Sequence, residues 1–282
     1  MRNAADGLTI RQALAQARAA GLERLDAQLL LGHVVGRPRT WLASHDDQLL
    51  TAGLQSHWDE LLARRLAGEP LAYLTGHHEF HGLNLQVSPA VLDPRADTET
   101  LVDWGLELLA RLGHPSRVLD LGTGSGAIAL AIKHRCPSAQ VTAVDLSPAA
   151  LAVARENGRR LQLDVDWQAG SWFETLSGQR FDLILSNPPY IAEGDPHLAA
   201  LQREPQMALV SGEDGLRDIR TLIRQAPRHL VTGAWLLLEH GHDQGATVRD
   251  LLSAGGFVDL DTRHDLAGHL RCSGGRWPGT PP

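Results

Sequence analysis

One stretch limits the possible architectures more than any other: Val118-Leu-Asp-Leu-Gly-Thr-Gly-Ser-Gly-Ala-Ile-Ala-Leu, followed by a second apolar run that ends on Asp145. A short apolar run, clustered glycines and then an apolar segment at helical spacing read as strand, loop and helix. Missing side chains at Gly122, Gly124 and Gly126 let a ligand approach the backbone of that turn. Asp145 closes the next strand about 20 residues on, where an acid accepts hydrogen bonds from ribose hydroxyls. Loop and acid together describe an adenosine-nucleoside site, whereas a plain tight turn accounts for the glycines alone. The loop leaves the cofactor open, because Gly122-x-Gly124-x-x-Ala127 also satisfies the relaxed dinucleotide fingerprint.

The same grammar extends downstream. Residues 118–121, 141–145, 181–186, 235–239 and 257–261 read as strands, and residues 126–135, 148–161, 215–225 and 246–254 as helices between them. Ser147 is the N-cap and Pro148 the first turn of the second of these helices. Strand and helix in turn give a parallel sheet covered by helices, so the expected fold is doubly wound α/β. Upstream, residues 8–68 carry apolar side chains at helical spacing without sustained two-residue alternation, which reads as a small helical domain. Pro70, Gly76 and Gly82 punctuate the next segment, and alternation in its second half, Leu83-Asn-Leu-Gln-Val, predicts a β-hairpin strand. The expected organisation is a helical domain over 1–75, a hairpin connector over 76–94, the α/β domain over 95–273 and a disordered Gly- and Pro-rich tail over 274–282.

Composition narrows the function classes. The 282 residues are 43% apolar and 21% charged, the balance of a folded globular chain. A net charge of -7 disfavours sequence-independent binding to nucleic acid. Two cysteines, Cys136 and Cys272, make neither a disulfide framework nor a paired-cysteine zinc site. With no targeting or bilayer-length apolar run in view, a cytoplasmic protein is expected.

The strand over 181–186 runs out into Asn187-Pro188-Pro189-Tyr190, at the end of the sheet where α/β proteins keep their reactive groups. Two consecutive prolines fix two φ angles and remove two N–H donors, so their carbonyls and the Asn187 side chain form a rigid rim rich in acceptors. Such a rim suits a planar NH2 group, and Tyr190 adds a face for a flat amide or base.

These motifs carry a resemblance. Asp120, two residues before Gly122, completes a DxGxG sequence similar to the first motif of class I methyltransferases, whose loop backbone meets the amino-acid portion of S-adenosylmethionine. The NPPY sequence resembles that of members methylating a nitrogen conjugated to a π system: adenine, guanine or a glutamine amide. Over nearly its whole length the chain is similar to the bacterial release factor glutamine methyltransferases, the PrmC/HemK family. The matching stretches are Pro70-Leu-Ala-Tyr-Leu-Thr-Gly, Glu79-Phe-His-Gly-Leu, Val91-Leu-Asp-Pro-Arg-Ala-Asp-Thr-Glu, Gly170-Ser-Trp-Phe, Asp195-Pro-His-Leu and Leu236-Leu-Leu-Glu-His-Gly.

The resemblance implies a class I methyltransferase sheet and methyl transfer from S-adenosylmethionine to N5 of the glutamine in the Gly-Gly-Gln motif of class 1 peptide chain release factors. It places Asp120, Leu121, Gly122, Thr123, Gly124, Asp145, Trp172 and Asn187 at the cofactor. Asn187, Pro188, Pro189 and Tyr190 hold the glutamine, with Asn187, Pro188 and Tyr190 acting on the reacting nitrogen. The helical domain helps to bind the release factor. An amide nitrogen is a poor nucleophile because its lone pair is delocalised, so Asn187 Oδ1 and the Pro188 carbonyl orient the NH2 and favour charge building on it. A sulfonium leaving group requires neither a metal nor a covalent enzyme intermediate, and no side chain stands out as a general base. The chain departs from the family at Asp93, where isoleucine is usual, at His81, where an aromatic is usual, and in a shorter loop over 198–205.

Rival readings remain at this level. An amino methyltransferase acting on nucleic acid shares NPPY, but the charge and the lack of a basic recognition domain oppose it. A nicotinamide oxidoreductase has no use for NPPY, and a non-catalytic release-factor-binding module has no use for intact Asn187 and Tyr190. His77, His78 and His81 lack metal-ligand spacing and read as hairpin residues, while His240 and His242 read as structural. Arg95, Thr98 and Glu99 suit helix capping and cleft contact equally.

Overall fold

The computed structural model describes residues 7–279. The chain forms two compact units, Met1–Gly76 and His77–Pro282. In the first, the described residues form α1 (Ile10–Ala19), α2 (Arg24–Val35), α3 (Arg39–Ser44), α4 (Ala52–Leu66) and α5 (Leu71–Thr75). Thr9 starts α1 with a capping box: its hydroxyl accepts the Gln12 N–H at 3.2 Å and its own N–H donates to Gln12 Oε1 at 2.8 Å. Two orphan donors of the first turn are thereby satisfied. Ile10, Leu30, Leu31, Leu42 and Trp58 bury completely or nearly so in a core of this unit's own.

The second unit opens with the hairpin of β1 (His77–Phe80) and β2 (Leu83–Gln86). Phe80, Leu83 and Leu85 belong to the core of this unit, so the hairpin is part of it and not a free connector. Next come α6 (Glu99–Leu112), β3 (Arg117–Leu121), α7 (Ala127–Arg135), β4 (Gln140–Asp145), α8 (Pro148–Leu161), β5 (Asp166–Ala169) and β6 (Phe181–Ser186). They are followed by α9 (Arg217–Gln225), β7 (Leu230–Glu239), α10 (Gly245–Ala254), β8 (Val258–His264) and β9 (Leu270–Arg276). The sheet has seven strands in the order β5-β4-β3-β6-β7-β9-β8. The first five are parallel and β9 runs antiparallel between β7 and β8.

Two-residue alternation sends Leu183, Leu185 and Leu237 into one buried layer with α6 and α7. Ile184, Leu236 and Leu238 enter the opposite layer with α9 and α10. Both faces are dry, as a helix-covered parallel sheet requires. The fully buried Asn157 on α8 ties the hairpin to the glycine loop: its Oδ1 accepts the Gln86 N–H at 2.7 Å, and its Nδ2 donates to the carbonyls of Gln86 and Ser125.

Three elements lie outside the expected set, α6, β5 and β9, although α6 does carry helical spacing, with Leu101, Trp104, Gly105 and Leu108 on its buried face. The expectation of a disordered tail from 274 is corrected, because Gly274, Gly275 and Arg276 are the last residues of β9 and pair with β7 and β8. Trp277 continues the pairing, exchanging backbone bonds with Gly233 and Ala234. The glycines reflect packing, not disorder. A Cβ on Gly274 would collide with Leu237 and stand 2.8 Å from the Leu236 carbonyl, and one on Gly275 would stand 2.8 Å from the Phe257 Cβ. Residues 280–282 lie outside the described residues. Among the described residues no helix is long and apolar enough to cross a membrane.

Candidate active site

Parallel register brings three strand ends level. Leu121 of β3 is opposite Val144 of β4 and Ser186 of β6, so the glycine loop, Asp145 and Asn187 leave the sheet side by side. The Ser186 hydroxyl donates to the Leu121 carbonyl at 2.6 Å and locks two of the three ends. Above them lies a cavity of about 410 Å³, within the usual range for small-molecule sites.

The loop shows its backbone to the cavity. Gly122 and Gly124 have φ of +72° and +55°, the left-handed region that glycine enters without strain. The Trp172 ring covers Gly122, 3.3 Å from where a Cβ would stand, while Gly124 faces open space. Asp145 holds the loop as well as facing the cavity. Its Oδ2 accepts the Gly124 N–H and its Oδ1 the Ser147 N–H, each at 2.8 Å. Burial pushes its pKa up, and these backbone donors oppose the push.

Gly122, Thr123, Gly124, Asp145, Trp172, Asn187 and Pro189 line the cavity together, although they come from four separate loops. Asp120, Leu121 and Pro188 do not line it. Asp120 is fully buried beneath the loop, where its Oδ2 accepts the Thr123 hydroxyl at 2.6 Å and the Ala129 N–H at 3.2 Å. It shapes the loop from below, and burial raises its pKa to about 7. Leu121 is fully buried among the opposite-layer side chains, and the Pro188 side chain is buried, leaving its backbone as the functional part.

Asn187 lines both this cavity and a smaller one of about 310 Å³ that adjoins Tyr190, Arg95 and Leu92. Its Nδ2 donates to Thr98 Oγ1 at 3.1 Å, so Thr98 serves the cleft and makes no cap hydrogen bond. Glu99 instead accepts the His81 N–H at 2.8 Å. The Tyr190 phenol turns inward and donates to Glu239 Oε1 at 3.4 Å. Burial and the Glu239 carboxylate push the phenol well above its ordinary pKa, so Tyr190 stays neutral.

Glu239 had no assigned role in the sequence, and Thr98 was open between helix capping and cleft contact. Their available signals were the Asp-Thr-Glu of the family-like stretch and an acid ending a run of three leucines. Arg95 lines both cavities and pairs with Glu204 of the loop over 198–205, which also accepts the Asp93 N–H at 3.4 Å. Among the described residues no group of three ligating side chains stands where it could hold a metal ion. His240 is buried and hydrogen bonded to Ser273 at 2.8 Å.

A parallel sheet whose first strand delivers a glycine loop, whose second ends on an acid and whose fourth exits as NPPY is that of a class I methyltransferase, which uses S-adenosylmethionine. Residues 98–212 match the family described as methyltransferase small domain, and residues 9–76 match that described as PrmC N-terminal domain. A release factor glutamine methyltransferase of Bordetella pertussis is 50% identical over 258 residues, covering 90% of this chain and 95% of the relative. One from Xylella fastidiosa is also 50% identical, covering 95% of this chain and 98% of the relative. A methyltransferase from Pyrococcus furiosus shares the fold with a TM-score of 0.52 at 20% identity, over 71% of this chain and 90% of that one. The chain belongs to the release factor glutamine methyltransferase family.

Proposed function

We propose that this protein transfers a methyl group from S-adenosylmethionine to the side-chain amide nitrogen, N5, of the glutamine in the Gly-Gly-Gln motif of class 1 peptide chain release factors. Both relatives named above are release factor glutamine methyltransferases. The observation that carries the residue assignment is the Asn187 amide, which borders the glycine-loop cavity with its NH2 end already committed to Thr98. Its carbonyl oxygen is left for a donor, and the substrate NH2 is one.

The cavity suits the cofactor. Open backbone at Gly124 accepts the amino-acid portion, Asp145 takes the ribose hydroxyls and Trp172 walls the side over Gly122. Asp120 and Leu121 act beneath the loop, by shaping it. When bound, S-adenosylmethionine supplies the methyl group on a sulfonium that leaves as a neutral thioether. Asn187 Oδ1 and the Pro188 carbonyl accept the two amide hydrogens, which fixes the nitrogen for in-line attack and favours positive charge building on it, and the methylated nitrogen loses one of these hydrogens to water to restore the neutral amide. Tyr190 presents its ring to the flat amide while its hydroxyl is anchored below. Pro188 and Pro189 keep this rim rigid.

Charge argues against nucleic acid as the direct substrate, since -7 overall repels a phosphate backbone. The partner is the release factor, and the place of action is the cytoplasm. Incubating the enzyme with methyl-labelled cofactor and purified release factor tests the assignment. Label on the Gly-Gly-Gln glutamine, mapped by mass spectrometry and lost when that glutamine is alanine, is the expected result. Labelling of RNA or DNA in its place overturns it.

A further inference from the structure

The proline pair accounts for only part of the acceptor rim. Pro188 and Pro189 fix their own φ, and each restricts the residue before it, so Asn187 and Pro188 have little backbone freedom left. The rotations after Pro189 have no such limit. They set the Pro189 carbonyl and the direction in which the Tyr190 side chain leaves the chain. Prolines also lack the N–H that ties a strand to its neighbours. β6 ends at Ser186, and the next backbone pairing comes at Ile191, whose N–H donates to the Leu209 carbonyl and whose carbonyl accepts the Ser211 N–H, each at 2.9 Å.

Between those two ties, one hydrogen bond reaches the backbone of residues 187–190 among the described residues. Gln244 Nε2 donates to the Tyr190 carbonyl at 3.0 Å, across 54 residues of sequence. The other end of the same amide is also engaged: Gln244 Oε1 accepts the Gly241 N–H at 2.9 Å, in the turn between β7 and α10. An N–H only donates and a carbonyl only accepts, so the amide has a single orientation in which both bonds exist. Gly215 packs against the same pair. Its φ is +74°, and a Cβ there would collide with the Tyr190 carbonyl and stand 2.9 Å from Gln244 Nε2.

Local structure gives Gln244 no other use for this side chain. It stands at the N-cap of α10, where Ser, Thr, Asp or Asn is preferred, and its side chain makes no capping bond there. The backbone closes the turn without it, since the Gln244 N–H donates to the Gly241 carbonyl at 2.9 Å. The residue is half-buried, so exchanging its terminal group leaves the core intact.

We propose that Gln244 is a positioning residue for methyl transfer: its amide clamps the Tyr190 carbonyl, and so sets the far end of the acceptor rim and the ring against which the glutamine amide lies. The proposal rests on the reading of Asn187 to Tyr190 as the seat of the substrate glutamine. The prolines stiffen the first half of this segment, and Gln244 holds the second. Tyr190 is then fixed at both ends, by Gln244 at its carbonyl and by Glu239 at its hydroxyl. Misplacing groups around a reacting nitrogen by about 1 Å costs on the order of a hundredfold in rate, so a partial loosening is expected to cost about tenfold.

The test measures single-turnover methylation of release factor at pH 8, KM for the factor and cofactor affinity by calorimetry in wild type, Gln244→Met, Gln244→Glu and Asn187→Ala. Gln244→Met keeps the length of the side chain and loses both bonds. Gln244→Glu keeps an acceptor for the Gly241 N–H and sets a second acceptor against the Tyr190 carbonyl. Gln244→Met is expected to lower the transfer rate about tenfold with KM and cofactor Kd within about threefold, the pattern of an interaction expressed in the transition state. Gln244→Glu is expected to be slower still. A side chain that served only the Gly241 turn would give the reverse order, with Gln244→Glu close to wild type and Gln244→Met impaired. That order, a full transfer rate in both variants, or a loss confined to cofactor affinity overturns the proposal. If Gln244→Met does not fold, Gln244→Glu decides alone: a rate about tenfold or more below wild type supports the clamp, and a wild-type rate overturns it. Loss of transfer in Asn187→Ala with full rates in both Gln244 variants rejects the clamp only; full activity in Asn187→Ala rejects the reading of the rim itself.

Discussion

Replacing Asp120 by asparagine should change how stability depends on pH more than it changes stability at any one pH. Asp120 is fully buried, and burial raises its pKa from 3.8 to about 7 against two hydrogen bonds. Between those values the native state holds a proton that the unfolded chain releases, so unfolding free energy falls as pH rises. Three pH units at about 1.36 kcal/mol each make a loss of about 4 kcal/mol from acid to alkaline solution. About 3 kcal/mol of it falls between pH 5 and pH 8. Asparagine accepts the Thr123 and Ala129 hydrogens through one oxygen and does not titrate. Its NH2 takes the place of Oδ1, which has no partner, at a cost of about 1 to 3 kcal/mol that is the same at every pH. Urea unfolding of wild type and Asp120→Asn at pH 5 and pH 8 measures the difference. Glu239 titrates in the same window but is present in both proteins, so it cancels. The variant should gain about 3 kcal/mol on wild type across the interval. Parallel profiles would refute the buried, proton-holding Asp120.

Three other outcomes are expected. Asp145→Ala should weaken S-adenosylmethionine binding by about 1.5 to 3 kcal/mol, the worth of a charged acceptor, and unchanged affinity in calorimetry would remove Asp145 from the ribose site. Gly122→Ala should destabilise the protein by about 1 to 3 kcal/mol in chemical denaturation, because a side chain must be held at positive φ with its Cβ 3.3 Å from the Trp172 ring. An unchanged midpoint would contradict that loop geometry. Deleting residues 1–74 should raise KM for the intact release factor while cofactor affinity is retained, since remote contacts deliver the reacting glutamine. Equal KM values in steady-state assays would deny the helical unit this role.

Local rules carried much of the fold and the core of the site. The strand, glycine loop and helix from 118 to 135 obey the same short-range physics in any chain, and the proline pair at Pro188 and Pro189 restricts its own backbone wherever it stands. Position at a strand end then sufficed to put Gly124, Asp145 and Asn187 around one cavity. Burial was not legible in the same way. Asp120 and Gly124 belong to one motif, yet the first lies under the loop and the second faces open space, because the sheet packs against one and not the other.

Composition also misled at the C-terminus. Gly274 and Gly275 look like a loose end, but they are glycine because Leu237, Trp104 and Phe257 leave no room for a Cβ on β9. What tertiary structure alone decided is the wiring behind the rim. Asn187 finds Thr98 across 89 residues and Tyr190 finds Glu239 across 49. Neither bond has a periodicity or turn signature, because hydrogen-bond partners are chosen by where the sheet brings strand ends together. The chain by itself specified which groups were available at each strand end; only the packed sheet determined which of them face the substrate and which are held, buried, behind it.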